Sequence, residues 1–196
     1  FMCVSHLVAQ PSQVCFRPDL GYVQGMSYLC AMFLLHMELC DAFVCLANLL
    51  EHSHLHDFYN FNSTTIATHV AVFESFLQDY VPGLAQVFRE HGIDCRIFLF
   101  EWWITLFAKS LPLDLSTRIW DGYVLHGLPF LFRVGIALLR VIWPTLQGED
   151  FDQCVISVSR IDPQKLDEVS LFEAIDNVNI DSKVLNQRLD QYSTRQ

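Results

Sequence analysis

Apolar residues recur at three- and four-residue steps along this chain, and that spacing favours helices over any other architecture. After Asp94 the series runs Ile97, Phe98, Trp102, Leu106 and Phe107; later it is Leu131, Phe132, Ile136, Leu139 and Ile142. Residues so spaced share one face of a helix of about 3.6 residues per turn. A strand would show alternation with period two, and no useful run of it occurs. The expected class is all-α, with about eight or nine helices joined by short loops.

Turn and capping residues divide the pattern. Asp41 is placed to cap a helix over Ala42 to Glu51, and Asp94 to cap one over Cys95 to Lys109. Pro82 can open a helix after Tyr80. Pro112 falls between two helical runs, and Gly127 with Pro129 separates two more. Asp162-Pro163 is the strongest start signal, a capping carboxylate followed by a residue whose missing N–H costs nothing in a first turn. The polar stretch from His52 to Ser63 reads as a loop. The end of the chain, residues 181–196, is polar and is expected to fray.

Composition narrows the function. With 196 residues, 52% of them hydrophobic and 17% charged, the chain can bury a sizeable core and is not a disordered segment. Twelve basic residues against 22 acidic leave a charge of −10, which disfavours nucleic acid and a polybasic membrane contact. The cysteines are Cys3, Cys15, Cys30, Cys40, Cys45, Cys95 and Cys154. An odd number without a C-x-x-C pair reads as small buried hydrophobes in a reducing compartment, so the expected location is cytoplasmic. Met26 to Leu39 is short and carries His36 and Glu38; Leu128 to Leu146 carries Arg133, Arg140 and Pro144. Neither is expected to span a bilayer. The chain opens on Phe1 without a basic leader, and is expected to be a piece of a longer protein.

Few residues suggest chemistry. His52, His54 and His56 alternate and Asp57 follows, a set that could hold a metal only on an extended segment, because helical residues two apart diverge by about 200°. A polar loop without metal is the expected outcome. Cys95 lies at an expected helix N-terminus, where a thiol pKa can fall, but no histidine is fixed beside it. Trp102 and Trp103 are expected in the core, with a groove position open to one of them. In Arg17 to Met26, RPDLGYVQGM, two glycines flank Tyr22-Val23-Gln24 just before an apolar helix. Gln24 can both donate and accept hydrogen bonds, so it can orient a water molecule or satisfy a helix start.

Tyr22-Val23-Gln24-Gly25-Met26 resembles the YxQGM motif of TBC-domain GTPase-activating proteins, which act on Rab GTPases. Arg17 to Gly21 is similar to the usual lead-in. Phe100 to Phe107 resembles the helix that precedes a second motif, and that motif is matched by Ser110-Leu111-Pro112-Leu113 through Arg118-Ile119-Trp120-Asp121. The resemblance covers roughly residues 1 to 185 and implies one TBC-like domain, 1–196, lacking its N-terminal segment, with two helical subdomains around a shallow groove.

The resemblance also implies a mechanism and a partner. A Rab loaded with GTP and Mg²⁺ would be the partner, so the chain needs no cofactor or metal of its own. Gln24 would be the glutamine finger, with Tyr22, Gly25 and Met26 shaping its loop. Arg118, Trp120 and Asp121 would hold the fold or border the groove. Membrane contact would be indirect, through the Rab, in vesicle trafficking. The family's second finger is an arginine in an I-x-x-D-x-x-R motif ahead of YxQGM. No such stretch occurs in the 196 residues. The expectation is that the arginine lies upstream of Phe1 or is absent, the latter leaving a non-catalytic partner-binding module.

Overall fold

The structure, a computed structural model, describes residues 20–194 with 22 and 52 excepted. Tyr22, His52 and the lead-in from Arg17 to Asp19 therefore lie outside the described residues. Those described form eleven α-helices and no strand. In order they are α1 (Met26–His36), α2 (Leu39–Leu50), α3 (Ser53–Tyr59), α4 (Ser63–Tyr80), α5 (Pro82–His91), α6 (Arg96–Ile104), α7 (Leu113–His126), α8 (Leu128–Leu146), α9 (Phe151–Ser159), α10 (Glu168–Asp176) and α11 (Ser182–Ser193).

Helix α8 is the centre of the molecule. It is long and apolar enough to cross a membrane, yet Phe130 to Phe132 and Val134 to Leu139 are buried against α4, α7, α9, α10 and α11. Two glycines permit the closest approaches. A methyl group on Gly135 would lie 2.8 Å from the Phe73 ring of α4, and one on Gly122 of α7 would lie 2.2 Å from the Phe130 ring. Gly127, at φ 67, makes the corner between α7 and α8, donating its N–H to the Tyr123 carbonyl at 2.7 Å.

An aromatic cluster fills the space between α3, α4, α6 and α8. Trp103 packs on Phe132 with ring centroids 5.0 Å apart and on Phe58 at 5.6 Å. Trp102 packs on Phe98 at 4.8 Å. Both tryptophans are in the core, and neither lines a groove. Their indole N–H groups are buried without a partner. Each such donor costs about 1–3 kcal/mol, which the ring area removed from water offsets.

His69 is buried in this cluster, with Nδ1 donating to the Thr65 carbonyl at 2.8 Å. Desolvation holds its pKa below the ordinary 6.5. The folded imidazole therefore takes up a proton less readily than the unfolded chain's, which is protonated as pH falls below about 6.5. Its contribution is therefore a loss of stability on acidification, absent above that pH. Urea unfolding at pH 7.5 and 5.5 should show a larger drop for the wild type than for His69→Gln; equal drops would mean His69 does not carry the dependence.

Several boundaries differ from the sequence expectations. Helix α2 begins at Leu39 after an extended Glu38, so Asp41 sits in the first turn, favourably placed for the helix dipole, and does not cap. The described part of the expected loop, residues 53–63, is mostly helical: α3 occupies Ser53–Tyr59 because Leu55, Phe58 and Tyr59 are buried beneath its polar residues. Helix α6 stops at Ile104, not Lys109, and Ile97 on it is exposed. After Asp162, whose carboxylate accepts from Gln164 N–H at 3.0 Å, only a 3₁₀ turn forms. The α-helix starts later, where Asp167 accepts from both the Ser170 N–H and its hydroxyl.

The C-terminal stretch is helical through Ser193. Asp181 caps α11, and Arg188 ties it to α4 by bonds to Ser75 at 2.8 Å and Asp79 at 2.5 Å and by lying 4.3 Å over the Phe76 ring. Those partners are more than 100 residues away in sequence, so local polarity could not reveal them.

Candidate functional site

Gln24 is presented by its neighbours. Val23 and Met26 are buried on either side of it, at 8% and 0% exposure, while Gln24 itself is exposed. Gly25, at φ 118, turns the chain between them into α1. The turn is closed by Met26 N–H to the Val23 carbonyl at 3.2 Å and Tyr28 N–H to the Gly25 carbonyl at 3.0 Å. A methyl on Gly25 would lie 3.1 Å from Ile104 Cδ1 and 3.4 Å from Thr105 Cγ2. The loop is therefore pressed onto the end of α6.

Gly25 has both an unusual φ and a close neighbour; Gly21, at φ 62, has the first without the second. Gly25→Ala should cost about 1–3 kcal/mol from strain alone, plus any shift of Ile104. Gly21→Ala should cost about 1 kcal/mol. Chemical denaturation of the two variants compares them directly, and equal losses would show that the Ile104 contact contributes nothing.

The floor beneath Gln24 is built by the end of α6. Tyr59 donates its hydroxyl to the Ile104 carbonyl, one of the carbonyls a helix C-terminus leaves open. Leu106 and Phe107 then take left-handed φ values of 46 and 63. Phe107 N–H bonds the Trp102 carbonyl at 2.8 Å and Leu106 N–H the Trp103 carbonyl at 3.2 Å, which completes the helix end.

Trp120 locks this turn. Its indole N–H donates to the Leu106 carbonyl at 3.0 Å, and its ring meets Phe33 of α1 edge-on at 5.2 Å. Arg118 points elsewhere, paired with Glu168 and lying 4.0 Å over the Phe172 ring of α10. Asp121 is exposed. None of the three lines the cleft beside Gln24.

That cleft has a volume of about 390 Å³, and Gln24, Tyr28, Phe61, Phe100, Glu101 and Lys109 line it. A second cleft of about 640 Å³ shares Tyr28, Glu101 and Lys109 and reaches Arg160 and Pro163, so the two form one open groove. Glu101 and Lys109 form an ion pair where the clefts meet. The pair is about one-third exposed on each side, so its attraction is screened by water. Phe61, Glu101 and Lys109 carry no sequence signal that marks them as groove residues. The separation between Gln24 and Lys109 in sequence hides their shared surface.

The other candidates separate. His54 meets the Tyr123 hydroxyl at 2.9 Å while His56 meets Asn60 at 3.2 Å, as their helical spacing requires. Burial, with Glu74 and Asp94 adding to it, pushes the Cys95 thiol up, opposite to the activation a helix N-terminus could offer. Cys30, Cys95 and Cys154 are buried as expected, but Cys40 is exposed.

A family profile described as the Rab-GTPase-TBC domain matches residues 14–147, a span that includes Gln24, the α6 turn and Trp120. The chain belongs to the Rab-GTPase-TBC domain family. It is 36% identical over 178 residues to Drainin of Dictyostelium discoideum, covering 91% of this chain and 41% of Drainin. It is also 36% identical over 169 residues to TBC1 domain family member 14 of Homo sapiens, covering 86% of this chain and 24% of that protein. The chain thus spans less than half the length of these relatives. Among solved structures, the Ypt/Rab-GAP domain of Gyp1p superposes with a TM-score of 0.69 at 19% identity, covering 93% of this chain and 63% of that one. The TBC chain shares that fold.

Proposed function

We propose that this TBC domain is a GTPase-activating protein for a Rab-family small GTPase. The observation that carries the proposal is the exposed Gln24, held between two buried residues at the rim of a groove and in the family's YxQGM context. A glutamine donates and accepts hydrogen bonds without charge, which suits it to orient an attacking water beside anionic phosphates. The GTPase would carry GTP and Mg²⁺, and this domain would supply no cofactor. It would act in the cytoplasm, reaching an organelle membrane only through the Rab, in vesicle transport.

The second finger of the mechanism is an arginine that neutralises charge developing on the transferred phosphoryl group. No I-x-x-D-x-x-R stretch occurs in the 196 residues, and the second reading is a domain that binds the GTPase without accelerating it. A missing finger arginine costs about 10³ to 10⁵ in rate, or about 4–7 kcal/mol. Single-turnover phosphate release from a panel of GTP-loaded Rabs, with the longest natural form of the chain, distinguishes the two. Acceleration of at least one Rab is expected. Complex formation without acceleration on any of them would leave the binding domain in its place.

A further inference from the structure

Phe61 joins α3 to α4 in a conformation and a position that a large aromatic residue avoids. Its φ is 53 and it is 59% exposed. A side chain with a Cβ is strained in the left-handed region, which is why glycine or asparagine usually ends a helix this way. The backbone closes the turn without help from the ring: Phe61 N–H bonds the Phe58 carbonyl at 3.1 Å and Asn62 N–H the Asp57 carbonyl at 2.9 Å. Asn62 then caps α4 through its side chain, accepting from Thr65 N–H at 3.2 Å. Folding of this corner would be served as well by asparagine at position 61.

The ring instead furnishes the groove. It stacks on Phe100 of α6 at 5.7 Å with an interplanar angle of 26°, and both rings line the cleft that Gln24 borders. An exposed, stacked aromatic in a strained turn beside the candidate catalytic residue is a contact surface awaiting a partner.

We infer that Phe61 is the apolar anchor of the GTPase complex, taking an apolar side chain that the GTPase presents next to its bound nucleotide. The occupant is set by continuity: a protein that brings its nucleotide to Gln24 covers the remainder of the same cleft. The inference rests on the proposed GTPase-activating function. Phe61 acts in binding, so it should govern affinity and leave the turnover of the bound complex unchanged.

The test compares Phe61→Asn, Phe61→Tyr and Gln24→Ala in the longest natural form of the chain. Thermal unfolding, binding to Rabs loaded with a non-hydrolysable GTP analogue, and the KM and kcat of stimulated hydrolysis are read for each. Phe61→Asn should unfold at or near the wild-type temperature, bind at least tenfold more weakly, and raise KM with kcat unchanged. Phe61→Tyr, which keeps the ring, should bind within about threefold of wild type. Gln24→Ala should bind normally and turn over slowly.

Unaltered binding by Phe61→Asn overturns the inference and leaves the GTPase-activating function standing. So does a large loss of unfolding temperature in Phe61→Asn, which would make the ring a structural plug. Loss of self-association in Phe61→Asn with Rab binding intact would overturn it too, assigning the ring to a second copy of the chain. If no Rab is accelerated, the proposed function fails, and the inference is then judged on binding alone. A Rab complex weakened by Phe61→Asn supports it, and the absence of any Rab complex overturns both.

Discussion

Gln24→Ala is expected to remove about 10² to 10³ of the stimulated rate of GTP hydrolysis, the effect typical of deleting one preorganised hydrogen-bonding group from a transition state. Folding should be nearly untouched, within about 0.5 kcal/mol, because the side chain is exposed and its loop is held by Val23, Gly25 and Met26. Binding of the GTP-loaded partner should be close to wild type, so the loss appears in kcat. Gln24→Glu keeps the length and loses the amide donor while adding a negative charge beside phosphate, and should be no better than alanine. Single-turnover rates at saturating domain measure this cleanly. Acceleration that survives in Gln24→Ala would mean that the water is positioned by another group, and the exposed glutamine would be only a loop residue.

Trp120→Ala is expected to destabilise the fold by about 3–5 kcal/mol, the range for deleting a large buried aromatic. For a domain of this size that corresponds to a fall in unfolding temperature of roughly 6–20 °C. Two losses combine. The ring leaves a cavity against Phe33, and the Leu106 carbonyl loses the indole N–H that satisfies it. Trp120→Phe keeps most of the area and should cost about 1–3 kcal/mol, the penalty for the orphaned acceptor.

Arg118 in the same motif makes the contrast. Its pair with Glu168 is about half exposed, so Arg118→Ala should cost no more than about 1 kcal/mol. Calorimetry on the three variants would rank them, and an Arg118→Ala loss as large as that of Trp120→Ala would overturn this account of the motif. Because the Leu106 turn leads directly to Lys109, the tryptophan variants should also loosen the groove floor.

The helical class, the start of α5 at Pro82 and the α7–α8 corner at Gly127 were legible in the residues themselves. Each follows from local chemistry: spacing on a helix face, a fixed φ that suits a first turn, and a backbone free to adopt positive φ. The family was legible too, because YxQGM and the segment ending at Asp121 are short patterns read in order. Asp94 marks the start of α6 to within one residue: Cys95 takes the cap position, and the Asp94 carboxylate just ahead of it accepts from Arg96 N–H at 2.8 Å.

The end of α6 was not legible, since Leu106 and Phe107 are as apolar as the helix they leave. Trp120, bonded to the Leu106 carbonyl, and Ser116, whose hydroxyl donates to the Phe107 carbonyl at 3.4 Å, hold the turn from further along the chain. The helix α11 looked polar and frayed because its anchors, Ser75 and Asp79, lie far away in sequence. The groove has the same origin. Gln24, Phe61 and Lys109 share no local pattern, and the packing of α1, α3 and α6 brings them to one surface. Local free energies choose helices, turns and caps, and these are encoded within a few residues. Where a helix stops for a distant partner, and which side chains meet across a cleft, depends on contacts that form only once the core has closed.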